Sequence, residues 1–162
     1  NDVHGMTSSQ IGIAALIMGI AMIGGVFIYG PLDRWFGTRK WVIFAGNILT
    51  LTCLLGLYSF GASSYILAVA LMCGVGFFGA TFPVVIAHGK GFFPAHLTGR
   101  GVTLLNMFSI GGVGLAQLIA RPLHDSYKGG NTLAPYAAVF LLFAVLLIIG
   151  LALYFFSQDN TD

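Results

Sequence analysis

The sequence predicts an all-α transmembrane protein, a five-helix polytopic bundle, and three observations carry that prediction. First, of 162 residues 57% are hydrophobic and only 7% are charged, where soluble domains carry roughly 25% charged residues; the mean hydropathy is +0.92. A water-soluble chain of this size cannot hide so much apolar surface. Second, five apolar runs are each long enough to cross a bilayer, which takes about 20 helical residues. Third, the charged residues fall between these runs or at the chain ends. Backbone groups in lipid must be satisfied within the segment, so the runs are helices, and the period-2 alternation of a barrel strand is absent.

The predicted spans cover residues 11–29, 41–60, 65–86, 102–119 and 135–156. The first carries small residues at helical spacing, Ala15/Gly19 and Ala21/Gly25, which let helix backbones approach closely. The second is intermediate in character, with Asn47 alone among apolar neighbours as an interhelical hydrogen-bonding group. Gly76/Ala80 marks the third, and Gly112/Ala116/Ala120 the fourth. The fifth is almost wholly bulky, "YAAVFLLFAVLLIIGLALYFF", and suits lipid contact. The expected arrangement has helices one, three and four central and helices two and five peripheral.

The loops give orientation. Arg34, Arg39, Lys40, Lys90 and Arg100 fall in the first and third loops, whereas the fourth holds only Arg121 and Lys128 and the second holds none. Lys and Arg favour the cytoplasmic side in short loops. The first and third loops are therefore expected in the cytoplasm, the N-terminus outside and the C-terminus inside. Arg121, before Pro122 at the outer end of the fourth span, reads as a snorkelling anchor. No signal peptide is visible, and a start at Asn1 suggests a piece of a longer protein.

Composition also excludes function classes. A net charge of +2 with no basic tail gives nucleic acid no footprint. Cys53 and Cys73 lie inside apolar runs as small hydrophobes, with no CxxC and no histidine at metal spacing. His88 and His96 flank a basic, aromatic loop and read as surface histidines, since metal or haem would need further ligands. No cofactor or metal is expected, and no catalytic residue. A membrane serine protease would want a GxSxG-like nucleophile with a His partner; the nearest candidate, "GASS" at residues 61–64, has no histidine in a neighbouring span.

One loop is unusually charged. "YGPLDRWFGTRKWV" (residues 29–42) holds three of the seven Lys/Arg residues and one of five acids. Gly30, Asp33, Arg34, Gly37, Arg39 and Lys40 resemble the signature loop of the major facilitator superfamily: glycine, acid, base, glycine, then a basic pair. The spacing departs by one residue on either side of Asp33–Arg34, like the looser copy in the second halves of such transporters. A second region, "FFPAHLTGRGVTLLN" (residues 92–106), is similar to that family's cytoplasmic loop and helix start near the end of the second half, with Arg100 at its centre. The resemblance implies helices eight to twelve of a twelve-helix transporter, part of a six-helix half. It also implies a secondary transporter of a small-molecule solute, with the missing N-terminal half and membrane lipids as partners. The expected location is a bacterial inner (plasma) membrane.

Physical chemistry gives the loop a role of its own. Asp33 suits the amides of a helix N-terminus, where the dipole favours an anion, and Arg34, Arg39 and Lys40 suit lipid phosphates or an acidic partner. Two glycines permit tight turning and close backbone contact. Two readings follow, a latch that holds one conformation or a positive-inside anchor. As a latch, Asp33 is expected to look under-partnered within this chain, held by local amides or Arg100.

No Asp or Glu lies inside any predicted span, so the chain offers no carboxylate for proton coupling. The fourth span instead carries a broken polar stripe. Asn106 and Gln117 fall about 20° apart around a helix of 3.6 residues per turn. Thr103 and Ser109 flank that line, and Ile110 and Val113 interrupt it. Such a face lines an aqueous path or glues helices together. A non-catalytic membrane assembly subunit and, further off, an intramembrane enzyme are the competing functions. Five helices alone cannot enclose a two-sided path, so this length of chain is not expected to transport unaided.

Overall fold

The computed structural model of the protein describes residues 3–127 and 131–159; Lys128, counted above in the fourth loop, lies outside them. It is all-helical among these residues: α1 (Ser8–Phe36), α2 (Lys40–Phe60), α3 (Tyr65–Phe78), α4 (Phe82–Lys90), a short 3-10 turn (Ala95–Leu97), α5 (Thr98–Ser126) and α6 (Ala134–Phe155). With α3 and α4 counted as one interrupted crossing, five helices are long and apolar enough to span a bilayer.

Local chemistry explains the ends. Thr7 caps α1 through a reciprocal box with Gln10, the Gln10 N–H donating to Thr7 Oγ1 at 3.3 Å and the Thr7 N–H to Gln10 Oε1 at 3.0 Å. At its other end Gly37 adopts φ 62°, a left-handed cap that a side chain would strain. The helix therefore runs well past residue 29, the predicted boundary. Pro31 sits inside it and forfeits one intrahelical bond without ending it. Gly30, Asp33 and Arg34 thus belong to the last turns of α1, and the expected tight turn reduces to residues 37–39. Gly30 is helical with open space around it, so close contact does not explain that glycine.

The third span departs from an unbroken 65–86. It is interrupted at residues 79–81, because Pro83 lacks an N–H for the Gly79 carbonyl and its ring crowds that carbonyl, whereas a proline fits the first turn of α4. Thr81 is buried, and its hydroxyl accepts from Asn47 Nδ2 at 3.2 Å; the same Asn47 amide donates to the Ile43 carbonyl at 2.8 Å. Asn47 is the interhelical link its isolation suggested.

Packing corrects the expected arrangement. α2, predicted peripheral, is the centre of this bundle: it lies against α3 and α6, touches α1 and α4, and buries Val42, Ile43, Gly46, Thr50, Leu54 and Leu57. Gly46 makes this possible, since a Cβ there would lie 2.5 Å from Tyr29 Oη and 2.6 Å from Thr81 Cγ2. α5, predicted central, buries only Gly101 and stands at the edge against α4 and α6. The small-residue face of α1 does meet the third crossing, with Gly25 against Phe77 and Ala80. Gly19 and Gly112, by contrast, face open space. Small residues permit close approach, but they act only where a partner helix is present.

The best-buried cluster is Tyr29, Val42, Ile43, Ala80 and Val84, with Leu32, Val85 and Tyr154 packed on it. It lies at the end of the bundle where α1 and α4 finish and α2 begins. The charged turn rests on this cluster.

Candidate functional site

The charged junction is built from four chain ends. Asp33, in the last turns of α1, accepts from Arg39 Nε at 3.2 Å, with side chains 12% and 19% exposed. Arg39, not Arg100, is its partner; Arg100 is exposed at the start of α5. Asp33 Oδ1 is buried and has no hydrogen-bond partner among the described residues. The carboxylate is satisfied at one oxygen only. Arg34 is exposed beside Trp35 and Phe36.

The amides at the start of α2 are met by a residue the sequence reading passed over. Asp159, four residues beyond α6, accepts from the Arg39 N–H at 3.2 Å, from the Lys40 N–H at 3.0 Å and from the Thr38 hydroxyl. Thr38 Oγ1 in turn accepts from the Trp41 N–H at 3.3 Å. Together they cap a helix whose own N-cap side chain makes no capping bond. Burial pushes the Asp159 carboxyl up, but the Thr38 hydroxyl, the Lys40 and Arg39 amides and nearby His88 outweigh it and hold the carboxyl below its usual range. Lys40 completes the strap: its Nζ donates to the Phe155 and Ser157 carbonyls, both at 2.7 Å, and lies over the rings of Trp41 and Phe155.

His88 is a second departure. Predicted as a surface histidine, it is 2% exposed at the end of α4. Its Nδ1 is 2.7 Å from Tyr154 Oη on α6, and its Nε2 is 2.9 Å from the Gln158 carbonyl oxygen. His96 is exposed. No sequence signal marks His88, Tyr154 and Asp159 as partners, because they meet only when α6 folds back beside α4 and α2.

The second predicted group lies on α5. Thr103 is exposed and its hydroxyl donates to the Gly99 carbonyl at 3.0 Å; Ser109, half-buried, donates to the Leu105 carbonyl at 2.9 Å. Both are satisfied within their own helix. Asn106 is half-buried and Gln117 exposed, and neither side chain has a hydrogen-bond partner among the described residues. Neither bonds to another helix among the described residues. The stripe and the charged junction are separate, and the structure does not bring them together.

At the opposite end of the bundle an apolar cavity of about 420 Å³ opens between α1, α3 and the start of α6, against Met18, Tyr58, Met72 and Phe140. None of the sequence-predicted site residues lines it. Arg100 and Thr103 instead border an open, shallow depression on α5 with Leu104 and Met107. Cys53 and Cys73 are both free thiols.

Comparison with known proteins agrees with the resemblance carried by the loop. A family model described as the Major Facilitator Superfamily matches residues 1–162. Comparison with curated proteins and with solved structures gives no match. Five apolar crossings and a match over the whole length lead to one conclusion: this is an integral membrane protein belonging to the Major Facilitator Superfamily, whose members transport solutes.

Proposed function

We propose that the chain is helices eight to twelve of a secondary active transporter that moves a small solute by alternating access in a bacterial inner membrane. The first and third loops then face the cytoplasm, with the N-terminus outside and the C-terminus inside. The single observation that carries this reading is the face of α5. Two uncharged hydrogen-bonding side chains, Asn106 and Gln117, stand on a membrane-crossing helix without a hydrogen-bond partner among the described residues. In lipid each would cost several kcal/mol. A water-filled path shared with the other half of the transporter satisfies both.

The junction supplies the conformational control. Asp33 Oδ1 awaits a donor that the missing half provides in one state and withdraws in the other, while Arg39 holds its second oxygen. The latch comprises Gly30, Asp33, Arg34, Gly37, Arg39 and Lys40, with Arg100 at the start of α5. Thr103 and Ser109 border the path with their hydroxyls turned onto their own helix.

The test is uptake by membrane vesicles carrying the chain together with the rest of its transporter, exposed to a mixture of water-soluble small molecules. Mass spectrometry of the vesicle contents identifies what accumulates. Gln117→Leu is expected to lower affinity or turnover for that solute while insertion stays intact, since a polar-to-apolar change does not oppose insertion. Unchanged uptake kinetics would return Gln117 to a packing role.

A further inference from the structure

The apolar cavity at the far end of the bundle from the charged turn is used by neither the latch nor the path. Its walls include Ala14 and Met18 of α1, Ala68 and Met72 of α3, and Ala137 and Phe140 of α6. Its volume of about 420 Å³ is that of a small-ligand pocket. Among the described residues no Asp, Glu, Lys or Arg lines it. Polar side chains gather at one end instead: Ser59, Tyr65 and Tyr136 stand where α2 finishes and where α3 and α6 begin. The N-terminal residues cross this mouth, with His4 Nε2 2.9 Å from the Gly61 carbonyl oxygen and the His4 ring edge-on to Tyr65.

Three features decide what fits. Ordered water needs several polar partners, which the deep walls do not offer, and an empty space would leave those walls without dispersion contacts. With no charged side chain to pair an ionic group, the buried part of the occupant is neutral and apolar. The depth is that of one leaflet. At about 1.5 Å per residue, Met18 stands about 15 Å below the start of α1 and Met72 about 10 Å below the start of α3, against about 15 Å for half of the hydrocarbon core. The passage from a wet, tyrosine-rich mouth to an apolar floor follows the polarity of a lipid from ester to tail. The cavity also marks a gap in the helix packing. Among the described residues α6 makes no close backbone approach to α1 or α3, so the occupant is what joins them at this end.

We propose that this cavity seats one acyl chain of a membrane lipid, drawn from the leaflet on the side where α1 begins. The chain lies among Met18, Met72 and Phe140, and the ester and head group stay at the mouth with His4, Ser59 and Tyr136. The flexible thioethers of Met18 and Met72 let the seat adapt to chains of different shape. The seated chain acts as a wedge that couples α6 to α1 and α3, in place of a helix contact. This site selects an apolar chain and not a charged head group, unlike the basic turn at the other end. It rests on the membrane crossings and not on the transport reading.

The experiment uses the chain together with the rest of its transporter in a non-ionic detergent, washed free of bulk lipid. Stoichiometric phosphatidylcholine is then added, carrying a photoreactive diazirine midway along one acyl chain. After illumination, peptide mass spectrometry is expected to place the label on Met18, Met72 or Phe140, and not on the exposed Phe27 or Leu153. Ala68→Phe with Ala137→Phe fills the seat. Retained phosphatidylcholine is expected to fall about tenfold in that variant, as for the loss of about two buried methylenes. If the variant does not insert, the wild-type label pattern decides, with a free long-chain alcohol carrying the same diazirine as the second probe. Label from phosphatidylcholine confined to the cavity supports the lipid seat. Label there from the alcohol alone overturns it, as does label spread equally to Phe27 and Leu153. No label from either probe, as when another helix of the transporter fills the cavity, or undiminished retention in the filled variant, overturns it too.

Discussion

Replacing Asp159 by Asn tests the most connected contact at the junction. The change keeps the shape and one acceptor oxygen but removes the charge from the N-terminus of α2. In the wild type that carboxylate takes the Thr38 hydroxyl, the Arg39 amide at 3.2 Å and the Lys40 amide at 3.0 Å, with a side chain 30% exposed. An anion at a helix N-terminus is worth about 0.3–1 kcal/mol when exposed and up to ~2 kcal/mol when partly buried. A side chain in between puts the loss near 1 kcal/mol, about fivefold in the equilibrium between docked and free strap. Exchange of the amides at residues 39–40 is expected to quicken by that factor at neutral pH. The acid limit follows from the depressed carboxyl. Docking lowers its pKa below the ordinary 3.8, so its contribution is fully present above that value and is lost as pH falls through the docked value. Protection in the wild type should therefore persist at about pH 5 and collapse only in stronger acid, and the asparagine variant should lack that transition. Equal exchange in both proteins, or loss in the wild type already at about pH 6, would refute the capping role.

Other expectations concern orientation and packing. In a Cys53→Ser, Cys73→Ser background, a cysteine at Ser63 should react with a membrane-impermeant reagent from outside and one at Thr38 only from the cytoplasmic side; the reverse pattern would sink the proposed topology. Gly46→Val drives a branched side chain into Tyr29 and Thr81, whose atoms lie 2.5 and 2.6 Å from the ideal Cβ. It should cost about 1–3 kcal/mol, the range for overpacking, read as a lower melting temperature in detergent. Gly112→Ala meets open space within this chain; its thermal stability should match the wild type when the chain is studied alone.

Much of the fold was legible because bilayer physics is simple: apolar run length gave five crossings, and four of them match within a few residues at one end or both, whereas the fourth, predicted over 102–119, extends well beyond both ends as α5 (Thr98–Ser126). Boundaries failed where polar sequence continued the helix. α1 runs through Asp33 and Arg34 to the left-handed Gly37, because neither Pro31 nor charge stops a helix already propagating. The break at residues 79–81 had a readable signal in Pro83, which an apolar window hides. Helix order failed for a different reason. Small residues advertise closeness without naming the partner, so α2 became central through Gly46 while Gly112 of α5 stands open. The junction was half legible: the charged loop was visible as a motif, but Asp159 and His88 reach it across 119 and 70 residues of chain to Lys40 and Gln158. Solute identity stays illegible because a transport site draws side chains from both halves.

The latch reading is tested most directly by Asp33→Asn. The substitution preserves size and removes the charge that binds Arg39 and leaves Oδ1 waiting for a donor. If Oδ1 docks on a helix N-terminus of the other half, as the latch proposes, loss of that anion, worth about 0.3–2 kcal/mol, moves a balanced two-state equilibrium several-fold. The measurement is the labelling rate of a cysteine at Thr103, exposed on the α5 face, in the complete transporter lacking Cys53 and Cys73. A several-fold faster rate from the cytoplasmic side is the expected result, marking a shift toward the inward-open form. An unchanged rate with normal uptake would contradict the latch and leave the charged turn as an anchor.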